Sequence, residues 1–212
     1  MRFGRLCMAI SVLIVSLFLA STAFAGSVTM TYEGHGTPNH QGYPYLFSIN
    51  GSQTPTSLIC DSFDNSNGVG ESWQATAAPL LQAAGLFGSG SLLDYKAAGL
   101  IFKSIVAGTT GAGAGQWAIW ALFSANAANS PQFVSSGGAA VEAQFLALAA
   151  NAPNSAFNGL ILYTPIAGTQ TQGGLPQEFI GYSAVPEPGS MMLMGTGLLG
   201  LAGTLRRKFA KV

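Results

Sequence analysis

The chain has 212 residues, of which only 8% are charged, far below the roughly 25% typical of soluble globular domains. Of its eight basic residues, two precede residue 26 and four follow residue 184, which leaves two basic and seven acidic residues between, a net charge of −5. So few basic side chains cannot neutralise a run of phosphates, and nucleic acid is therefore excluded as a partner.

The first 25 residues predict a secretory signal peptide. Two arginines form a positive n-region, and residues 6–20 are apolar. Ala23 and Ala25 then supply the small-x-small pattern that signal peptidase recognises, so we expect cleavage before Gly26. The alternative is an uncleaved anchor helix, for which the apolar run is short.

Residues 26–184 form the predicted exported domain, which begins with short strands. Residues 28–32 alternate apolar and polar side chains, and residues 43–49 and 56–60 are further β-prone runs separated by Gly, Pro and Asn. This pattern indicates strands joined by turns.

Two loops in this region carry candidate metal ligands. Glu33, His35 and His40 lie close together in sequence but without helix-type spacing, and a solvated loop explains them as well. Residues 61–71 are rich in oxygen ligands, as calcium loops are. When the EF-hand pattern is aligned on the first glycine of this run, however, its first and twelfth positions, which should both be acidic, fall on Phe and Gln. Turns capped by Asn and Asp are the alternative explanation of the run. We predict no metal site.

A helical pattern follows the early strands. Four helices are expected, over residues 73–87, 92–107, 115–126 and 138–150. Strand signals return at residues 160–164 and 178–183, which can pair as an antiparallel hairpin with a long connection. Strands, then helices, then strands indicate an α+β domain: a small antiparallel sheet or barrel with a helical insertion.

Cys60 is the only cysteine left after the signal peptide is removed. One interpretation is a small buried hydrophobe. Another involves Gln116, which opens the apolar run Gln-Trp-Ala-Ile-Trp 56 residues later. If the Gln116 side chain reaches Cys60, the thiolate can displace ammonia from the amide and leave an internal thioester, an electrophile that acylates amines or hydroxyls on another surface.

This arrangement resembles the thioester domains of bacterial surface adhesins, in which a strand cysteine is linked to a glutamine in a Thr-Gln-x-Ala-Ile-Trp-like motif. The resemblance covers about residues 45–123. It implies a Cys60–Gln116 bond and covalent attachment without enzymatic turnover. The sequence departs from the pattern at Gly115, where threonine is expected, and at Asp61, where an aromatic residue is usual. A chain with these departures can therefore keep the thioester-domain fold without forming the Cys60–Gln116 bond.

The C-terminus has three parts in order: a Pro-Glu-Pro motif, 17 uncharged residues (189–205) and a basic cluster. The uncharged part reaches the lower limit for a membrane-spanning helix, about 17–25 residues. The basic cluster would stay on the cytoplasmic side, and the prolines would break the preceding structure. The motif consists of Val185, Pro186, Glu187 and Pro188, and the basic stop of Arg206, Arg207 and Lys208.

These three parts resemble the PEP-CTERM sorting signal of Gram-negative bacteria. The resemblance implies an inner-membrane-anchored precursor, processing by an exosortase-like enzyme near the motif, and a final location at the cell surface or in the extracellular matrix. Proteins with this signal are associated with exopolysaccharide and biofilm surfaces. An ordinary C-terminal membrane anchor is the alternative.

The sequence as a whole predicts a non-enzymatic, exported surface or matrix protein without a cofactor. Its expected partners are signal peptidase, an exosortase-like enzyme, the membrane before processing, and extracellular polysaccharide or surface amines and hydroxyls. Two alternatives remain. One is a passive structural or exopolysaccharide-associated matrix protein without a thioester. The other is a secreted hydrolase using Asp, Glu and His residues, although the chain has no G-x-S-x-G motif.

Overall fold

The computed structural model describes residues 26–36, 42–172 and 175–182. The predicted signal peptide with its cleavage site, His40, and the C-terminal segment from residue 183 onward all lie outside these ranges. Among the described helices, none combines the length and apolar character needed to cross a bilayer.

Six antiparallel strands form a closed barrel in the order β1-β2-β3-β6-β5-β4. Closure pairs the first strand with the fourth and the third with the sixth, so that none of these six strands is left as an open edge. The strands are β1 (Gly26–His35), β2 (Tyr45–Ile49), β3 (Thr56–Cys60), β4 (Ser72–Pro79), β5 (Leu160–Pro165) and β6 (Phe179–Tyr182).

The helices lie between β4 and β5 in the chain. Two 3₁₀ turns, Ser89–Ser91 and Asn154–Phe157, flank this insertion. The α-helices are α1 (Leu92–Val106), α2 (Ala112–Phe123), α3 (Ala125–Ala128), α4 (Pro131–Ser135) and α5 (Gly138–Asn151). The predicted α+β architecture, a barrel with a helical insertion, is thus confirmed.

Two apolar clusters divide the core. One fills the barrel with side chains such as Met30, Phe47, Trp73 and Phe179. The other lies between the barrel wall and the helices and contains Ile59 together with much of α1 and α2. Because successive strand residues point to opposite faces, β3 contributes to both clusters, with Leu58 and Cys60 in the first. The barrel cluster also includes Trp120 of α2, so Cys60 lies where the barrel meets the helices.

The helix expected over residues 73–87 is wrong. Its first half forms β4, in which Trp73 and Ala75 alternate with more exposed residues, and the chain then turns. The Ala-rich composition suggested a helix, but β4 hydrogen-bonds to both β1 and β5 and completes the barrel. These tertiary contacts outweigh a weak local preference for helix.

The other three predicted helices exist with shifted ends. The expected 92–107 helix is α1 and the 138–150 helix is α5, each within one residue of the prediction. The expected 115–126 helix is α2, which begins three residues earlier and ends at Phe123 because Ser124 has extended backbone angles and caps the separate helix α3. The long-range hairpin is also confirmed, since β5 pairs with β6 in antiparallel register.

Candidate functional site: a buried junction around Cys60 and Gln116

Cys60 ends strand β3 as a fully buried free cysteine. Its thiol points towards the Ser62 carbonyl oxygen at a Sγ–O distance of 3.4 Å. The thiol therefore serves as a hydrogen-bond donor, which means that it carries its proton in this arrangement.

Gln116 lies in the first half of α2 and is 1% exposed. The preceding Gly115 explains how deeply it sits: a Cβ atom at that position would lie 2.5 Å from Ile105 Cδ1, so only glycine lets α2 approach α1 this closely. The departure from the adhesin motif at Gly115 thus has a packing reason.

The structure brings the two predicted thioester residues together. Gln116 Nε2 donates a 2.6 Å hydrogen bond to the Cys60 carbonyl oxygen, across 56 residues of sequence. The other amide atom, Gln116 Oε1, is buried without a hydrogen-bond partner among the described residues. A buried amide oxygen left unpaired costs free energy, so this side chain is held in a poorly satisfied state beside Cys60.

Burial raises the pKa of the Cys60 thiol far above its ordinary value, and an ionised carboxyl group at Asp61 would raise it further. The side chain of Trp120 and the backbone of Ser62 act in the opposite direction, although Trp120 Nε1 makes no hydrogen bond of ordinary geometry among the described residues. Desolvation dominates because a thiolate loses its hydration in this site. The thiol is consequently protonated at neutral pH and is not a ready nucleophile.

A pair of carboxyl groups lies next to this thiol. Asp61 and Glu178 are both fully buried, and the Asp61 N–H donates to the Glu178 carbonyl oxygen at 3.2 Å, which extends the β3–β6 pairing beyond the strands. Ser62 joins the two residues: its hydroxyl donates to Asp61 Oδ1 at 3.1 Å and accepts from the Glu178 N–H at 3.0 Å.

The Glu178 carboxyl group receives two further donors. The Tyr95 hydroxyl of α1 donates to Oε1 at 2.6 Å, and the Leu86 N–H donates to Oε2 at 2.9 Å. Gly85 makes this geometry possible, since its φ is +63° and a Cβ there would lie 2.0 Å from the Tyr95 hydroxyl oxygen. The Glu178 carboxyl group therefore accepts more hydrogen bonds than the Asp61 carboxyl group.

Burial raises the pKa of both carboxyl groups. The charge of Glu178 raises the pKa of Asp61 further. The contact between the two carboxyl groups also raises the pKa of Asp61 and lowers that of Glu178, which favours Asp61 as the member that carries a proton. Asp61 Oδ2 is buried and has no hydrogen-bond partner among the described residues.

The carboxylates of the oxygen-rich run 61–71 do not converge. Asp61 pairs with Glu178, whereas Asp64 accepts a 2.7 Å hydrogen bond from Asn126, and Glu71 Oε2 accepts one from the Gly68 N–H at 2.9 Å. Asparagines of the run bind the opposite chain segment, as in the 3.0 Å bond from Asn67 Nδ2 to Gln177 Oε1. Each carboxylate therefore has its own role in holding the loop.

Glu33 and His35 are separated by a change of strand register. A β-bulge between Tyr32 and Gly34 leaves Glu33 exposed. It also turns His35 to the same side as Tyr32 and Tyr45, whose ring centroids lie 5.7 and 4.5 Å from its own. His35 thus packs among aromatic rings, away from the exposed Glu33 with which its sequence position suggested a ligand set.

The carboxyl pair and Tyr95 had no sequence signal as members of this site. Asp61 stood out as a calcium-loop candidate and as a departure from the adhesin pattern, and Glu178 only as the first residue of an expected strand. Their meeting depends on the β3–β6 pairing, which joins distant parts of the chain. The cysteine and the glutamine could be found because the motif around Gln116 is local.

Residues 184–208 match the PEP-CTERM protein-sorting motif. The match includes the Pro-Glu-Pro motif, the uncharged segment and the basic cluster. It supports export, a membrane-anchored precursor and processing by an exosortase-like enzyme, as the sequence predicted. No curated protein and no solved structure significantly matches the chain.

Proposed function

We propose that this exported protein attaches covalently to extracellular material through an internal thioester between Cys60 and Gln116. The observation that carries the proposal is the 2.6 Å hydrogen bond between the Gln116 amide and the Cys60 carbonyl oxygen inside a closed site. Two distant residues with the required functional groups are thereby held side by side.

The reaction joins Cys60 Sγ to Gln116 Cδ. The Cδ–Nε2 bond breaks, the thiol proton leaves with the amide nitrogen, and one ammonia is released. The product is an acyl group activated for transfer to an amine or hydroxyl. Burial of both residues excludes the water that would otherwise hydrolyse the bond.

The sorting motif sets the context of this chemistry. A protein delivered to the outside of a Gram-negative cell meets polysaccharide hydroxyls and surface amines, which are the nucleophiles that a thioester acylates. One covalent attachment per molecule needs no turnover. The protein would therefore act as a surface or matrix component and not as an enzyme.

Intact mass of the chain, expressed from the full-length gene and purified, tests the thioester. We expect a mass lower by one ammonia than the sequence requires, and addition of one methylamine when that amine is supplied. Cys60→Ala and Gln116→Ala should abolish both effects. Gln132→Ala removes an exposed glutamine of α4, away from the junction, and should leave both unchanged, which makes it the matched control.

An unshifted mass together with a Cys60 that alkylates in the unfolded chain would contradict the thioester. That result would favour the alternative, a passive structural or exopolysaccharide-associated matrix protein in which Cys60 is a small buried hydrophobe.

Sorting is tested separately in a host with an exosortase-like enzyme. Glu187→Gln, or deletion of Arg206, Arg207 and Lys208, should make the unprocessed precursor accumulate, as seen by immunoblot of membrane fractions. Lys211→Ala removes a positive charge outside the matched residues 184–208 and should be processed normally. Normal processing of the motif variants would show that the tail is an ordinary membrane anchor.

A further inference from the structure

The protonated state of Cys60 leaves thioester formation without an obvious means of moving protons. The thiol must lose a proton before the sulfur can attack, and the amide nitrogen must gain one before it can leave. The Sγ–H group points at the Ser62 carbonyl oxygen, which cannot accept a proton permanently. A buried acid–base group beside the two residues is therefore required.

The Asp61–Glu178 pair meets this requirement by its place in the fold. Asp61 follows Cys60 directly, and the Gln116 amide lies 2.6 Å from the carbonyl oxygen that joins Cys60 to Asp61. Ser62 connects the thiol and the pair, because its carbonyl receives the Sγ–H group while its hydroxyl donates to Asp61 Oδ1. A negative charge on either carboxyl group raises the pKa of the thiol, so the thiol is coupled to the pair.

A proton, and not a basic side chain, relieves the repulsion within the pair. The described residues include two lysines, and both make contacts near Phe157: Lys103 Nζ donates to the Ala156 carbonyl oxygen at 2.7 Å, and Lys96 Nζ lies 5.3 Å from the Phe157 ring centroid. Two carboxylates buried together cannot both be ionised without such a partner. The pair therefore holds one exchangeable proton inside the junction.

We propose that the Asp61–Glu178 pair relays protons during formation of the Cys60–Gln116 thioester. The pair takes the thiol proton as the Sγ–Cδ bond forms and gives its own proton to Nε2 as the Cδ–Nε2 bond breaks. One ammonia leaves, and the pair ends with the same single proton that it held at the start. Tyr95, Leu86 and Ser62 position the two carboxyl groups through the hydrogen bonds described above. This inference rests on the proposed function.

The test starts from the full-length chain recovered unfolded from inclusion bodies, with its Gln116 amide still intact, and follows ammonia loss over time by intact mass as the chain folds at a series of pH values. We expect Asp61→Asn to fold and to form the thioester at least about 10-fold more slowly than the wild type, since general acid–base groups contribute roughly 10²–10⁴-fold. Asp61→Glu should recover part of the rate. Glu71→Gln, which removes a buried carboxyl group outside the pair, should match the wild type.

The pH profile separates a proton relay from a structural role. The groups that face the pair include the Cys60 thiol of β3, the Tyr95 hydroxyl of α1, the Ser62 hydroxyl and the Thr164 side chain of β5. In the wild type, the rate should fall as rising pH removes the shared proton, and in Asp61→Asn this fall should be absent. A folded Asp61→Asn variant with the wild-type rate and profile would overturn the inference.

Glu178→Gln provides an independent arm in case Asp61→Asn does not fold, with folding monitored by tryptophan fluorescence. It should show the same loss of rate, and a wild-type rate in this folded variant would equally overturn the relay. A wild-type chain that forms no thioester at all would contradict the proposed function itself. The wild-type result therefore tests the proposed function, and the results for the variants test the proton relay.

Discussion

The barrel interior and the junction around Cys60 are equally closed to solvent but differ in chemistry. Met30, Phe47, Trp73 and Phe179 fill the interior with side chains that are at most 1% exposed, and the Phe47 and Phe179 ring centroids lie 4.5 Å apart. The junction instead buries two carboxyl groups, an amide, a hydroxyl and a thiol. These belong to Asp61, Glu178, Gln116, Ser62 and Cys60, none of them more than 2% exposed.

The difference shows which region stabilises the fold and which is suited to chemistry. Burying aromatic and aliphatic side chains is favourable in proportion to the apolar area removed from water. Burying carboxyl and amide groups costs free energy unless each finds a partner, and at the junction Gln116 Oε1 has none among the described residues. Groups with such perturbed environments are concentrated at functional sites.

The largest expected effect lies in the barrel interior. Phe47→Ala should lower the free energy of unfolding by about 3–5 kcal/mol, because it leaves a cavity among Trp73, Tyr32 and Phe179. Equilibrium denaturation measures this loss. Val134→Ala, at a side chain 70% exposed, should change stability by less than about 0.5 kcal/mol. A similarly small change for Phe47→Ala would show that packing in the barrel interior does not stabilise the fold.

A smaller effect is expected where α1 reaches the junction. Tyr95→Phe removes the 2.6 Å hydrogen bond to Glu178 Oε1 and should cost about 1–3 kcal/mol, since a buried acceptor loses its donor. Tyr182→Phe, at a ring 36% exposed, is the matched control and should be close to neutral. An unchanged denaturation midpoint for Tyr95→Phe would mean that Glu178 does not depend on this donor.

The smallest change in stability is expected for Asp61→Asn at pH 4, within about 1 kcal/mol of the wild type, because burial raises the pKa of Asp61 well above its ordinary value of about 4 and asparagine is neutral like a protonated Asp61. The pH dependence should nevertheless change. A carboxyl group with a raised pKa in the folded state stabilises the fold fully below its unfolded pKa of about 4 and loses that contribution as pH rises through the folded pKa.

The free energy of unfolding, measured from pH 4 to pH 8, tests the direction of this pH dependence. The wild type should lose stability as pH rises, and Asp61→Asn should show a shallower decline. Some slope should remain, because burial also raises the pKa of Glu178, Asp94 and Glu142. Parallel curves for wild type and variant would show that Asp61 is ionised in the folded protein.

Local sequence patterns predicted most of the helices and strands that pack against segments nearby in the sequence. Strand β3 was predicted with the bounds Thr56–Cys60 that the structure has, and α1 and α5 were predicted to within one residue. Strand β4 was missed because its Ala-rich residues become a strand only through hydrogen bonds to β1 and β5. The register change that turns His35 inward depends on a bulge that no local pattern revealed.

The sequence by itself predicted the signal peptide and the two residues of the proposed thioester, and it indicated the C-terminal sorting motif that the family match confirms. A basic n-region, an uncharged segment and a Pro-Glu-Pro motif are contiguous signals, and the glutamine motif is equally local. Only the tertiary structure decided that Cys60 and Gln116 meet, and that the carboxyl groups of Asp61 and Glu178 lie buried beside them. The physical reason is barrel closure, because the pairing of β3 with β6 brings together parts of the chain that are far apart in sequence.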